Sequence, residues 1–209
     1  MPRAEFFARF GLFVRREFLD NEACVRLRAE MLEADATPAT VWTNGEGFVV
    51  DSSTRRTTHR QVSAAATAFV EERLLALQSE LARHFSVRLT GCRTPGFLAY
   101  GPGDFYRPHR DNSGGPAIAG AIRERRVSAV VFLNGETATA NAGGYRGGAL
   151  TFYGLFEEPR LAGRGLPLEG ETGLMVAFPA DVVHGVAPVS DGVRCTVVTW
   201  FFEAEAPLA

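Results

Sequence analysis

The chain has 209 residues, of which 46% are hydrophobic, and this is enough for one sizeable core but short of what two full domains need. We therefore expect a single domain. The 22 Lys+Arg residues are balanced by 24 Asp+Glu residues, so the formal net charge is -2. This balance disfavours nucleic acid and other polyanions as partners.

Cysteine usage and the N-terminal segment favour a reducing compartment. Cys24, Cys92 and Cys195 are odd in number, widely spaced and outside any CxxC pair, so we interpret them as reduced structural thiols and not as zinc ligands. The apolar run 6–14 is interrupted by Arg9, and arginines follow it without a small-residue cleavage site. We expect neither a signal peptide nor a membrane span, and a cytoplasmic location.

The N-terminal part predicts two helices with loops and short strands between them. The polar run 20–22, followed by apolar residues at helical spacing, fits a capped amphipathic helix that ends near Asp35. An apolar stripe without Gly or Pro predicts a second, uninterrupted helix from Val62 to His84. Between them we expect extended pieces at 41–43 and 48–50. His59, expected in a polar loop, and His84 are interpreted as structural.

After Pro95 the chain changes to short apolar runs separated by Gly, Pro, Asn and Asp, which is typical of β-structure. This pattern predicts an α+β fold, with a double-sheet β-sandwich of the jelly-roll kind buttressed by helices on one side. The glycine-rich segment 135–148 is predicted to be a hairpin loop, because no helix follows it to form a phosphate site. The predicted strands cover residues 96–100, 104–111, 126–133, 148–153, 173–178, 183–188 and 193–202.

The stretch YGPGDFYRPHRDN, residues 100–112, contains a candidate metal site. If it is extended, His109 and Asp111 point to the same face, so an imidazole and a carboxylate converge. His184, at the start of a distant predicted strand, is the third candidate ligand. Two histidines and one carboxylate on a β-scaffold form the facial triad of non-haem Fe(II) oxygenases, although an HxD pair by itself is also common without a metal.

Arg194 strengthens this interpretation. It lies ten residues after His184 on the next predicted strand, and we expect the two strands to form an antiparallel hairpin that brings the guanidinium to the far end of the pocket. There it would clamp a carboxylate in a bidentate pair. Alternation along the last strand places Thr196, Val198 and Trp200 on the same face as Arg194, so Thr196 can donate to the same carboxylate.

An ordered set of motifs resembles the 2-oxoglutarate and Fe(II)-dependent dioxygenases, and within them the procollagen-type and oxygen-sensing prolyl hydroxylases. The resemblance covers roughly residues 90–203. It implies a double-stranded β-helix (jelly-roll, cupin-like) core, with 1–90 as mainly helical support and 91–203 as the catalytic jelly roll. The motifs are Tyr100, the HxD at His109 and Asp111, RRVSAVVFLN at 125–134, GGALTFYG at 147–154, His184, Arg194 and Trp200.

The resemblance also implies a role for each site residue. The Fe(II) ligands would be His109, Asp111 and His184. The iron would be chelated by 2-oxoglutarate, whose distal C5 carboxylate would meet Arg194 and the hydroxyls of Thr196 and Tyr100. Leu150 and Val186 would line the cosubstrate pocket, with Trp200 near the site, although Tyr100 and Trp200 are equally compatible with a place in the core. The implied cofactors are Fe(II), 2-oxoglutarate and O2, with ascorbate as a candidate reductant.

Three positions bear on the subfamily and the reaction. Phe132 stands where oxygen-sensing members carry a cosubstrate-binding tyrosine, so the clamp would depend more on Arg194 and Thr196. Arg194 itself differs from the lysine of some procollagen-type members. Related halogenases have a small residue in place of the carboxylate, and Asp111 occupies that place here, so hydroxylation is the expected reaction.

The expected function is therefore hydroxylation of an unactivated C–H bond, with a prolyl residue in a peptide or protein as the first candidate substrate. A free amino acid or a small biosynthetic intermediate is the alternative. Two other classes, a nucleic-acid demethylase and a non-enzymatic cupin-like binding protein, fit the charge balance and the complete ligand set less well. Four arginines, Arg55, Arg56, Arg107 and Arg110, are compatible with an acidic substrate or with ordinary surface charge. The sequence indicates no oligomeric state.

Overall fold

The structure is a computed structural model, and it describes residues 4–43, 47–114, 120–137, 143–161 and 163–203. Among these residues, no helix is long and apolar enough to cross a bilayer. Short 3₁₀ turns lie at Ala8–Phe10 and Pro159–Leu161. The helices are α1 (Ala4–Phe7), α2 (Asn21–Glu33), α3 (Ala64–Ala76), α4 (Gln78–Phe85) and α5 (Gly120–Arg123).

The strands are mostly short, and the two longest, β10 and β17, run through the middle of the larger sheet. They are β1 (Phe13–Arg15), β2 (Ala36–Pro38), β3 (Val41–Thr43), β4 (Gly47–Val49), β5 (Arg55–Arg56), β6 (Thr58–Arg60), β7 (Gly91–Cys92), β8 (Gly96–Tyr100), β9 (Phe105–His109), β10 (Arg125–Phe132), β11 (Tyr145–Gly147), β12 (Leu150–Phe152), β13 (Leu166–Leu168), β14 (Met175–Pro179), β15 (His184–Val186), β16 (Val189–Gly192) and β17 (Arg194–Phe202).

Two antiparallel sheets form the body of the described chain. The larger sheet has the order β1-β14-β10-β17-β8-β6-β2, with β7 also paired to β17, and the smaller has the order β13-β12-β15-β9-β5. Their facing sides share one apolar cluster, which includes Leu98, Val130 and Phe178 from the larger sheet and Leu150 and Phe152 from the smaller. This packing of two sheets confirms the predicted α+β fold with a jelly-roll core.

Three helices, α2, α3 and α4, cover the outer face of the larger sheet, whereas α1 packs into the cluster between the sheets. Leu27 of α2 and Leu74 of α3 belong to the same buried cluster as Val131 of β10 and Val197 of β17. Side chains cap both helices as the sequence suggests: Asp20 accepts from the Ala23 backbone N–H at 2.7 Å. In the same way, the Ser63 hydroxyl accepts from the backbone N–H of Ala66 at 3.1 Å. The helical support therefore stiffens the sheet from the side opposite the smaller sheet.

The predicted helix from Val62 to His84 is divided in two. Leu77 ends α3 with φ -89° and ψ -7°, and its backbone N–H bonds to the carbonyls of Leu74 and Leu75. The tightened turn redirects α4, whose Leu81 still reaches the same core. Neither Gly nor Pro marks the break, so the apolar stripe alone could not predict it.

Several short strands were also absent from the prediction. His59 lies in β6, not in a polar loop, and β6 pairs with both β2 and β8. Part of the glycine-rich segment forms β11, which pairs with β16, while residues 138–142 lie outside the described residues. Strands of two or three residues have too few positions for a readable alternation of apolar and polar side chains.

The predicted hairpin between the strands of His184 and Arg194 is wrong. His184 begins β15, which pairs with β12 and β9 in the smaller sheet. Arg194 begins β17, which pairs with β10 and β8 in the larger sheet. Between them β16 pairs with β11, and the chain crosses from one sheet to the other. The two side chains therefore belong to opposite walls of the sandwich.

Removal of a core side chain from α3 should test the support given by the helices. Leu74→Ala should lower the free energy of unfolding by about 2–5 kcal/mol, because Leu74 is fully buried in the cluster beneath β10 and β17. Leu75→Ala is the matched control, since its side chain is 42% exposed on the same helix and should cost about 0.5 kcal/mol or less. Urea unfolding followed by circular dichroism measures both, and equal losses would contradict this packing.

Candidate active site

The three predicted metal ligands converge at one end of the space between the sheets. His109 ends β9 and lies directly opposite His184, the first residue of β15. Asp111 follows β9 closely, and its two carboxylate oxygens approach one imidazole each: Oδ1 lies 3.5 Å from His109 Nε2, and Oδ2 lies 3.5 Å from His184 Nε2. The three ligand atoms are all within 4.8 Å of one another. This spacing suits a single divalent cation.

Backbone carbonyls orient both imidazoles for this task. His109 Nδ1 lies 2.9 Å from the Arg107 carbonyl, and His184 Nδ1 lies 3.0 Å from the Val182 carbonyl. A carbonyl can only accept, so each Nδ1 carries the proton and donates it. Each Nε2 then presents its lone pair to the position between the three side chains.

Asp111 is held between the two sheets. Its Oδ2 accepts a 2.6 Å hydrogen bond from the hydroxyl of Ser128, a buried residue of β10 in the larger sheet. Burial by itself would raise the pKa of Asp111, but the imidazoles of His184 and His109 and the Ser128 hydroxyl together hold it well below its usual range. The carboxylate is therefore ionised and ready to bind a cation at neutral pH.

The histidines lie among aromatic rings. Tyr106 stacks on His109, with ring centroids 3.6 Å apart and planes 20° from parallel. Phe178 approaches His184 edge-on, with centroids 4.6 Å apart. Burial lowers the pKa of His184 to about 4, with the charge of Asp111 opposing the shift. Both the orientation and the protonation state thus favour neutral His184 as a ligand.

Arg194 is a buried cation without an acidic partner. It is 1% exposed, and its guanidinium carbon lies 5.1 Å from the ring centroid of Tyr100 and 5.0 Å from that of Phe132. Nη1 donates to the Thr196 hydroxyl at 3.3 Å, whereas Nε and Nη2 have no hydrogen-bond partner among the described residues. An unpaired buried guanidinium is costly, so this environment fits an anionic ligand that supplies the missing acceptors.

Tyr145 is a neighbour of this guanidinium that the sequence did not reveal. Its side chain is fully buried on β11, and its hydroxyl has no hydrogen-bond partner in the described part of the chain. A Cβ added at Gly170 would clash with both the Tyr145 hydroxyl and the ring of Phe132, so the two lie close together. Burial raises the pKa of Tyr145 to about 12, and Arg194 opposes this rise. A hydroxyl is thus present beside Phe132, on a residue that precedes the Gly147-Gly148 pair.

A cavity of about 640 Å³ joins the triad to Arg194. Leu150 and Val186 face each other across β12 and β15 in the wall of this cavity. Tyr100 both belongs to the core between the sheets and lines the cavity. The structure thus brings all the sequence-predicted site residues to one space: His109, Asp111, His184, Arg194, Thr196, Tyr100, Leu150, Val186 and Trp200.

The four arginines that the sequence left unassigned divide into two pairs. Arg55 and Arg110 line the cavity, and Arg110 Nη1 donates to the Asp181 carbonyl. Arg56 instead packs over the Phe105 ring, and Arg107 donates through Nε to the Ser53 carbonyl at 2.6 Å. Neither Arg56 nor Arg107 is part of the cavity wall.

The sequence prediction also missed Arg125, which lines the cavity on β10. Its guanidinium carbon lies 3.7 Å from the ring centroid of Trp200. Burial lowers the pKa of Arg125, with Asp111 opposing the shift. A basic residue at the start of a strand has no sequence signal of its own, so only the fold shows that it borders the site.

This site belongs to a known class of enzyme. The family model of the 2OG-Fe(II) oxygenase superfamily matches residues 95–202, which include the triad and Arg194, and the chain belongs to that superfamily. Its cofactors are accordingly Fe(II) and 2-oxoglutarate, with O2 as the other cosubstrate.

Individual relatives agree with this assignment. The chain is 31% identical over 140 residues to a PKHD-type hydroxylase of Picosynechococcus sp., and the match covers 67% of this chain and 56% of that protein. A Pseudomonas putida prolyl-4-hydroxylase superposes with a TM-score of 0.65 at 23% identity, covering 97% of each chain. A Trichoplax adhaerens prolyl hydroxylase, solved with a hypoxia inducible factor peptide fragment, gives 0.71 at 16% identity, covering 95% of this chain and 86% of that one.

Loss of the hydrogen bond from Ser128 to Asp111 should lower the affinity of the site for a metal ion. Ser128→Ala should weaken binding of a divalent cation such as Mn(II) or Co(II) by about 10–100-fold, because the carboxylate loses the donor that orients it. Calorimetric titration of the purified protein gives the dissociation constants.

The control for this measurement is Thr57→Val. It removes another buried hydroxyl, which donates to the Ala99 carbonyl away from the triad, and it should leave metal affinity unchanged. An unaltered affinity in Ser128→Ala would show that the hydroxyl does not orient the ligand.

Proposed function

We propose that this chain is an Fe(II)- and 2-oxoglutarate-dependent hydroxylase that acts on an unactivated C–H bond, with a prolyl residue in a peptide or protein as its substrate. The observation that carries the proposal is one cavity that holds both the His109, Asp111 and His184 triad and the unpaired guanidinium of Arg194. A three-residue ligand set leaves coordination positions on the metal for a cosubstrate. The guanidinium of Arg194 would bind the distal carboxylate of that cosubstrate.

The roles of the residues follow from this arrangement. His109, Asp111 and His184 would hold Fe(II), and the bound iron with 2-oxoglutarate and O2 supplies the oxidation, which releases succinate and CO2 and adds one oxygen to the substrate. The protein orients these groups and excludes water. Ser128 fixes Asp111, the two backbone carbonyls fix the imidazoles, and Phe152 and Phe178 pack about His184.

We assign the distal carboxylate of 2-oxoglutarate to Arg194, Thr196 and Tyr145. Thr196 already accepts from Arg194 and can turn its own proton toward an anion. The Tyr145 hydroxyl supports the assignment because it is buried without a partner beside Phe132, whose ring lacks one. The Tyr145 hydroxyl would replace the donor that Phe132 lacks. A hydrogen bond from a buried donor is strongest when its acceptor is charged.

The outer part of the cavity supports a prolyl substrate. Trp42 and Phe48, on the β3–β4 hairpin, line it together with Tyr106, Ile122 and Trp200. A pyrrolidine ring is compact and apolar, and aromatic walls of this kind would cover it. The P. putida and T. adhaerens relatives, whose names describe prolyl hydroxylases, agree with this choice of substrate.

We further propose that the helical part and the jelly roll act as one catalytic domain, and that it works in the cytoplasm. The shared core beneath α2, α3 and the larger sheet supports the single domain. All three cysteines are free, and burial raises the pKa of each to about 11, so they remain protonated thiols as in a reducing compartment.

Succinate formation tests the proposed function. With Fe(II), ascorbate and 2-oxoglutarate, the wild-type protein should release succinate, and a library of proline-containing peptides should include members that increase the release and gain one oxygen by mass spectrometry. Asp111→Ala should abolish both signals because it removes a metal ligand. Asp35→Ala, an exposed carboxylate far along the chain, should keep them. Full turnover by Asp111→Ala would refute the metal assignment.

Binding of 2-oxoglutarate tests the clamp separately. In the presence of Mn(II), Arg194→Met should weaken 2-oxoglutarate binding by about 100-fold or more, because the carboxylate loses its only cation there. Tyr145→Phe should weaken it by about 3–10-fold, and adding Phe132→Tyr should restore part of the loss by returning a hydroxyl to the same place. Calorimetry measures each constant, and unchanged binding by Tyr145→Phe would exclude the hydroxyl from the clamp.

A further inference from the structure

Two arginines of the active-site cavity, Arg55 and Arg125, have no acidic partner. Within the described chain, no Asp or Glu oxygen forms an ion pair with either guanidinium, and both Nε atoms are buried without a hydrogen-bond partner. Their hydrogen bonds go to main-chain oxygens: Arg55 Nη1 donates to the Thr40 carbonyl at 3.0 Å, and Arg125 Nη1 to the Asp111 carbonyl at 3.4 Å. Neither cation forms an ion pair within the described chain, and the one carboxylate whose charge acts on Arg125, that of Asp111, already faces the two imidazoles of the triad.

Two neighbouring arginines, Arg93 and Arg126, do have acidic partners. Arg93 stacks on Phe202 and also pairs with Glu124 at 2.6 Å. Arg126, the residue after Arg125 on the same strand, pairs with Glu203 at 3.3 Å. Arg93 and Arg126 thus combine their other contacts with an ion pair, whereas Arg55 and Arg125, which line the cavity, have none among the described residues.

Aromatic rings fix the orientation of both unpaired guanidinium groups. Arg125 lies 3.7 Å from the ring centroid of Trp200, and Arg55 lies 4.6 Å from that of Tyr106, which in turn stacks on His109. A ring covers one face of each group, so further ligands must bind along the edge, where the N–H bonds lie. The edge of a guanidinium is the part that pairs with a carboxylate through two parallel hydrogen bonds.

The remaining charges of the cavity wall do not satisfy them. Asp111 belongs to the triad, and Asp51 accepts from the Ser53 backbone N–H at 2.9 Å and from the Ser53 hydroxyl at 2.6 Å. Arg194 is assigned to 2-oxoglutarate, and Arg110 adds a further positive charge. The part of the cavity that is left for the substrate is thus strongly positive, in a protein whose total charge is -2.

We propose that Arg125 and Arg55 bind a carboxylate of the substrate, so that the substrate is a prolyl compound with an anionic group close to the hydroxylated carbon. The inference rests on the proposed function and narrows its substrate class. The group must be close, because Arg125 contacts the backbone of the metal ligand Asp111 itself. It is either the α-carboxylate of a free or C-terminal proline or the side chain of an acidic residue adjacent to the proline.

Matched pairs of ligands test this proposal and distinguish the two sources. The first pair is N-acetyl-proline and N-acetyl-prolinamide, and the second is a capped Ala-Pro-Glu peptide and its Ala-Pro-Gln counterpart. Dissociation constants are measured by anaerobic calorimetry on the full chain loaded with Fe(II) and 2-oxoglutarate. In at least one pair, the carboxylate member should bind about tenfold tighter than the amide, and that pair identifies the source.

Substitutions of the two arginines then test whether Arg125 and Arg55 cause the tighter binding of the carboxylate ligands. Arg125→Gln should remove most of the carboxylate preference, and Arg55→Gln should reduce it, while both retain metal and 2-oxoglutarate affinity and a wild-type melting temperature within a few degrees. Arg126→Gln is the matched control on the same strand and should keep the full preference, since its guanidinium pairs with Glu203.

The outcomes separate this proposal from the one on which it rests. If 2-oxoglutarate binds but the amides bind as tightly as the carboxylates, or if the preference survives in both Arg125→Gln and Arg55→Gln, the anionic substrate is wrong and the hydroxylase assignment stands. If 2-oxoglutarate fails to bind the metal-loaded wild-type protein, the proposed function is wrong and this inference falls with it.

Discussion

The carboxylate of Asp111 links the two sheets at the site. It faces an imidazole of the smaller sheet with each oxygen, and it accepts a hydrogen bond from Ser128 of the larger sheet. One side chain therefore determines the spacing of the two walls at this end of the jelly roll. Because the imidazoles are themselves held by backbone carbonyls, the ligand set is oriented by the scaffold before any cation enters it.

The distribution of buried positive charge explains how the cavity is divided between ligands. Arg194 lies among Tyr100, Phe132 and Tyr145, and no acid of the described chain forms an ion pair with it, although the charge of Glu136 acts on it from a distance. Arg125 and Arg55 lie toward the outer side, stacked on Trp200 and Tyr106. Leaving a buried guanidinium unpaired is costly, so Arg194 fits an anionic ligand, whereas Arg55 and Arg125 are only partly buried and carry the separate proposal of a substrate carboxylate.

The hydroxyl of Tyr145 lies close to the ring of Phe132. Phe132 lacks the hydroxyl expected from the oxygen-sensing relatives, and the sequence suggested a weakened clamp. In the fold, β11 pairs with β16 and brings the buried Tyr145 ring beside Phe132. Under the proposed function, this hydroxyl would be the donor that Phe132 lacks. A comparison of aligned positions alone would therefore miss it.

Local patterns in the sequence predicted most of the longer elements and the three side chains that converge as candidate metal ligands. Alternation along the last strand predicted that Arg194, Thr196, Val198 and Trp200 share one face, and all four line the cavity, because the two faces of a strand follow directly from residue spacing. The HxD spacing likewise predicted the convergence of His109 and Asp111. Only the tertiary structure decided which strands face each other: β15 and β17 lie in opposite sheets and not in one hairpin. Ser128 and Arg125 border the site through contacts between segments that are distant in the chain. Such pairings depend on the packing of whole sheets, and no short stretch of sequence contains that information.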